Sequence, residues 1–325
     1  MTKRPHDALF KAAFEYPPHA AELLRGCVSP SLASAVTWES LALEDGSFVD
    51  RDLADSHTDL LFSAEIGGTR GLIYVLLEHQ SRRDSAMPLR MNEYIARIWS
   101  RTLRGSPSPR VPIVIPIVLS HAQGGWNAPV EIWDLVDPHP DSLPAVAPHV
   151  PRLSIIVHEF SEWSDEEIRR RVLASFPRLA LWVLRDARRP ERLLTHLRSW
   201  AAAFVDAARA RNGITALAQL VHYVQLVLGR EHYQEFRAKL KELAPDVERQ
   251  VMTILDMLEQ ESRAAGRAEG FLEAQRQVLL KQLRAKFGGL AESDVAKVER
   301  ADVETLDRYL DRILTADSLA AVLGG

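Results

Sequence analysis

Two apolar runs joined by a glycine-containing turn, DLLFSAEI and GLIYVLLEHQ between Asp59 and Gln80, restrict the fold more than any other stretch of the chain. Their length and β-branched content read as two strands, and Gly67, Gly68, Thr69 and Arg70 between them predict a hairpin with a four-residue loop. That loop sets Ile66 opposite Gly71 and Asp59 opposite Glu78. Directly opposed residues share a face of the sheet, and Gln80, two positions on, shares it as well. His79 alternates to the other face, where a structural histidine is the simpler expectation. Glu65 has the parity of Asp59 but lies about 20 Å away by strand rise, outside any common site. A strand as apolar as LIYVLL is expected to be central and covered on both faces. A carboxylate at its end is therefore costly to bury unpaired.

The flanking segments suggest an α/β unit. Leu9, Phe10, Ala13 and Phe14 have helical spacing in a first helical segment from about residue 7 to 24, which Pro17 and Pro18 interrupt. WESLALE and GSFVD suggest a short strand ahead of the hairpin. Residues 86–104 predict a helix with Met91, Tyr94, Ile95 and Ile98 on one face. Arg90, Arg97, Arg101 and Arg104 form a row beside that face. VPIVIPIVLSH and SIIVHEF read as two further buried strands. From residue 161 onward the pattern is helical. The expected division is a core at 1–160, a helical extension at 161–245, a long helical linker at 246–278 and a small helical domain at 279–325.

Composition narrows the function classes. A net charge of −4 does not mark the whole chain as a nucleic-acid binder, yet seven arginines fall between residues 82 and 110 against only Asp84 and Glu93. The single cysteine, Cys27, excludes an intramolecular disulfide and a cysteine-based structural zinc site. No run approaches the length of a membrane span, and the first residues lack the apolar core of a signal peptide, so a cytoplasmic protein with no membrane partner is expected. Trp126, Trp133 and Trp163 read as core or loop anchors, and His121 as lacking a partner that would make it a ligand.

Asp59 with Glu78 and the amide of Gln80 brings hard oxygen donors together, which suits Mg²⁺, Mn²⁺ or Ca²⁺ better than zinc. Asp59 alone would equally serve as a strand-start residue, and the arginine row as a solvated helix face. Taken with HDALFK from His6 to Lys11, TDLLFS and YVLLEHQS, these residues resemble the recombination-promoting nuclease/putative transposase family. That family is a branch of the PD-(D/E)xK nuclease superfamily. The resemblance covers roughly residues 5 to 200, and the last 45 or so residues are similar to a helical domain often attached to such proteins.

The resemblance implies a restriction-endonuclease-like α/β core, a mixed central sheet flanked by helices, followed here by an all-α C-terminal half. It also implies metal-dependent endonucleolytic cleavage of DNA in a recombination or mobile-element setting. Asp59 and Glu78 correspond to the metal-binding carboxylates, and Gln80 stands where the superfamily pattern has lysine. Asp7 is a candidate third acid, although a helix N-terminus also favours an acid there. Arg90, Arg97, Arg101 and Arg104 would then hold the DNA backbone. The alternative is a weakly cleaving or inactive DNA-binding protein that assembles into a homo-oligomer through its C-terminal helices. Strand transfer ranks lower, since no DNA-end-binding module is recognisable.

Overall fold

The computed structural model describes residues 5–44, 58–78, 84–104, 109–121, 125–171 and 173–324, with backbone alone at 58, 59, 262, 264–266 and 268. Three helices, α1 (Pro5–Phe14), α2 (Pro17–Arg25) and α3 (Pro30–Ala35), lead into strand β1 (Val36–Leu43). The interruption between the first two falls where Pro17 starts a new helix. Leu9, Phe10, Ala13 and Phe14, the face expected from spacing, are all buried.

Strands β2 (Thr58–Ile66) and β3 (Thr69–Glu78) form the hairpin. Its loop is two residues, not four. Ile66 pairs with Thr69 and Asp59 with Leu76, so the expected pairing of Asp59 with Glu78 is corrected by two positions. The cause is the turn: Gly67 at φ +58° and Gly68 at φ +77° are both left-handed, as a tight two-residue hairpin turn requires. Because the shift is even, no side chain changes face.

Helix α4 (Met87–Arg104) carries the chain from β3 to β4 (Val114–Ser120), and an irregular segment with short 3-10 turns leads to β5 (Ile156–Glu159). The five strands lie in sequence order, β1, β2 and β3 antiparallel and β3, β4 and β5 parallel. This is the mixed sheet expected. Met87, Met91, Tyr94 and Ile98 of α4 join Leu61, Leu72, Tyr74, Leu76 and Val118 in one buried cluster, so α4 covers one face of the sheet. Parallel pairing aligns the carboxyl ends: Glu78 is level with Ser120, and Ser120 with Glu159.

The remainder is helical: α5 (Asp165–Arg170), α6 (Ser175–Asp186), α7 (Pro190–Arg209), α8 (Gly213–Leu228), α9 (Arg230–Leu243) and α10 (Pro245–Phe287). Then follow α11 (Glu292–Arg300), α12 (Val303–Thr315) and α13 (Leu319–Leu323). Helix α6 is buried nearly all round from Leu179 to Asp186 and stacks Trp182 on Trp200 of α7 with ring centroids 5.1 Å apart. Helix α1 packs on α6 and α8, so the sheet and this helical layer belong to one compact unit, residues 1–254. Residues 255–325 form a second unit, with Leu279, Leu283, Val298, Leu306, Ile313 and Val322 in its core. Among the described residues no helix is long and apolar enough to cross a membrane.

Candidate active site at the carboxyl ends of the parallel strands

Every residue of β3 from Gly71 onward is buried, and the strand ends on Glu78, which is 2% exposed. Leu72, Tyr74 and Leu76 belong to the cluster beneath α4, so alternation puts Glu78 on that same face. Position 59 pairs with Leu76 and therefore shares the face, one diagonal step from Glu78. The side chain of Asp59 is outside the described set, as are Gln80 and His79 altogether. The register thus brings positions 59 and 78 together by backbone alone.

Two polar residues missed from the sequence lie level with Glu78. The Ser120 hydroxyl, fully buried, donates to Glu159 Oε2 at 2.7 Å, and the Ser161 backbone N–H donates to Glu159 Oε1 at 2.9 Å. The signal was available: VPIVIPIVLSH and SIIVHEF, like LIYVLLEHQ, are apolar strands that close on polar residues. What their sequence could not show is that parallel pairing lines these ends up.

The other face of the same strand ends is built from histidines and aromatics. His121 is buried, its ring stacks against Phe160 with centroids 5.4 Å apart, and the His6 ring of α1 is 5.5 Å from it. His6 Nδ1 lies 2.8 Å from the Tyr223 hydroxyl of α8, and burial holds that hydroxyl's pKa well above its ordinary value. Asp7, next to His6 in the first turn of α1, is half-buried.

The arginines of α4 divide. Arg90 turns inward: its Nη1 donates to Asp84 Oδ2 at 2.6 Å and its Nη2 is 3.8 Å from Glu78 Oε2. Arg97 pairs with Glu93 along the helix at 2.5 Å, while Arg101 is half-buried and Arg104 exposed.

At the strand ends on the α4 face the described carboxylates are Glu78 and Glu159, oxygen donors of the kind that a divalent ion takes. Glu159 already accepts from Ser120 and Ser161, and Glu78 has the Arg90 guanidinium 3.8 Å away. Among the described residues, Asp165, Asp186 and His196 have donor atoms within 4.8 Å of one another. Those carboxylates are already occupied. Arg185 grips Asp186 with Nε at 2.7 Å and Nη2 at 2.6 Å, and also bonds Asp165. Arg192 reaches Asp186 at 3.2 Å, and the Trp200 indole donates to Asp165 at 2.9 Å. Burial alone would raise the Asp165 pKa, but the Arg185 and Trp200 hydrogen bonds outweigh it and the net shift is downward. The arrangement is an arginine–carboxylate network joining α5, α6 and α7, and a metal would have to displace Arg185.

A family model described as "Putative transposase, YhgA-like" matches residues 4–214. The chain is 28% identical over 259 residues to "Recombination-promoting nuclease RpnD" of Escherichia coli O157:H7, spanning 79% of this chain and 95% of that one. It is 27% identical over 308 residues to "Recombination-promoting nuclease RpnA" of Escherichia coli strain K12, spanning 91% and 97%. A third relative, 25% identical over 294 residues and spanning 88% and 92%, is named "Inactive recombination-promoting nuclease-like protein RpnE", from the same strain. No solved structure matches the chain.

Proposed function

Because the chain belongs to the family of YhgA-like putative transposases, whose model spans residues 4–214, we propose that it is a metal-dependent DNA endonuclease acting in recombination. The observation that carries this reading is Glu78, buried at the end of the central strand and one diagonal step from position 59 beneath α4. Asp59 and Glu78 would hold the ion, Mg²⁺ first and Mn²⁺ or Ca²⁺ as substitutes. A divalent ion supplies Lewis acidity toward a phosphodiester oxygen and acidifies a bound water. Gln80 would orient the attacking water through its amide, which can accept or donate a hydrogen bond but carries no charge. Asp7 would add an acid from α1. Arg97, Arg101 and Arg104 would hold the DNA backbone along α4, outside the reacting centre. The setting is cytoplasmic.

The second reading is a protein of this fold that binds DNA and self-associates but cleaves poorly. It is favoured by the relative named inactive, and by α10, where Met257, Leu258 and Phe271 are at least half exposed. Incubating supercoiled plasmid with the purified protein and each metal separates the two. Nicking with Mg²⁺ or Mn²⁺ that is lost in Asp59→Ala and in Glu78→Ala supports the nuclease. A salt-sensitive gel shift without nicking in any metal supports the second reading.

A further inference from the structure

We infer that Arg90 is a catalytic residue of this site, supplying a fixed guanidinium fork to the scissile phosphate. This rests on the endonuclease reading above and departs from the view of Arg90 as one member of a backbone-gripping row.

The geometry separates Arg90 from its neighbours on α4. Asp84 is fixed ahead of the helix, its Oδ1 accepting the Ala86 backbone N–H at 2.9 Å, and its Oδ2 takes Arg90 Nη1 at 2.6 Å. That contact uses one end of the guanidinium and sets its direction. The remaining edge, formed by Nε and Nη2, is buried and has no hydrogen-bond acceptor among the described residues. Nη2 lies 3.8 Å from Glu78 Oε2, close enough for charge attraction and too far for a hydrogen bond. Tyr94 flanks the group, its ring centroid 6.0 Å from Cζ.

Buried donors on a charged group are rarely left unsatisfied, because each forfeits its hydration without compensation. An edge of two parallel N–H groups matches two oxygens of one phosphate, the bidentate pairing that a guanidinium makes and an ammonium does not. The edge points toward the same carboxylate that would hold the metal, so a phosphodiester entering between the ion and α4 meets both. Arg90 then neutralises charge that grows on the non-bridging oxygens as water attacks. Gln80, a neutral amide, cannot do this. Arg90 thus brings positive charge to the site from α4.

The test uses the full chain, with Glu78→Ala as the reference for loss of the site. Arg90→Gln should lower the maximal rate of metal-dependent nicking about 100-fold, while plasmid affinity in Ca²⁺ falls only by the one phosphate contact removed. Arg90→Lys should recover part of the rate, and added methylguanidinium should restore nicking to Arg90→Ala, which a purely structural role would not allow. Nicking at the wild-type rate in Arg90→Gln, with Glu78→Ala inactive, overturns the inference and leaves the endonuclease reading standing. A wild type that nicks in no metal removes both. Should Arg90→Gln fail to fold, Arg90→Lys decides: a point charge without the fork must be slower than wild type, and an unchanged rate overturns the assignment.

Discussion

Replacing Arg185 with methionine tests whether the acidic cluster of α5 and α6 is a structural network or a metal centre. Arg185 and Asp186 are 5% and 0% exposed, and the arginine also donates to the Trp163 carbonyl at 2.5 Å. Removing the cation leaves Asp186 in the interior with Arg192 alone, a contact of 3.2 Å from a partly exposed side chain. Breaking a buried pair from one side costs about 3–5 kcal/mol, because the surviving charge has lost its compensation. In a unit of this size each kcal/mol lowers the melting point by about 2–4 °C, so a fall on the order of 10 °C is expected. All seven tryptophans lie within residues 1–254, so their fluorescence in a urea titration reports that unit without interference from residues 255–325. Arg185→Met/Asp186→Leu should recover much of the loss, since an apolar replacement of both partners leaves no orphaned charge. The reasoning is refuted if Arg185→Met costs less than about 1 kcal/mol while Mn²⁺ or Zn²⁺ stabilises the wild type and not His196→Ala. That result would make Asp165, Asp186 and His196 metal ligands.

Two further outcomes follow from local geometry. Burial first, and the charge of Arg171 second, hold the His158 pKa down at about 4. Its Nε2 lies 3.1 Å from Arg171 Nη2, which can donate only to an unprotonated nitrogen. Between pH 6.5 and about 4 the unfolded chain binds a proton there that the folded chain does not. Stability therefore falls on acidification through that window, by at most about 1.4 kcal/mol per pH unit before solvent screening of the exposed part of the ring. Urea midpoints measured from pH 7 to 4 should converge between wild type and His158→Gln at the acid end. At the hairpin, Gly67→Val should cost about 1–2 kcal/mol because a β-branched residue is forced into left-handed backbone, whereas Gly67→Asn should cost far less. Equal urea midpoints for the two variants would contradict the two-residue turn.

Periodicity alone was enough to locate most elements. Met91, Tyr94, Ile95 and Ile98 are the buried face of α4, and Leu9, Phe10, Ala13 and Phe14 that of α1, because a helix of 3.6 residues per turn has one way to bury such a set. The hairpin shows where that information ends. Alternation specifies which face a strand residue takes, and a slip of two positions leaves every face intact, so the register waited on the dihedrals of Gly67 and Gly68. Arg90 is a similar case. Its place in a helical row is legible as a solvated stripe, and only the location of Asp84 and Glu78 turns it inward.

By itself, then, the sequence determined the helical and strand segments, the faces they bury, and the carboxylate that closes the central strand. The tertiary structure decided which strand ends lie level, so that Glu78, Ser120 and Glu159 form one row. It also decided that His6 meets Tyr223, 217 positions along the chain, and that the cation beside Glu78 comes from α4. The physical reason is the range of the interactions. Helix and strand patterns follow from neighbours within one or two turns, whereas strand order, crossover and the pairing of buried charge depend on contacts between residues that no local period relates.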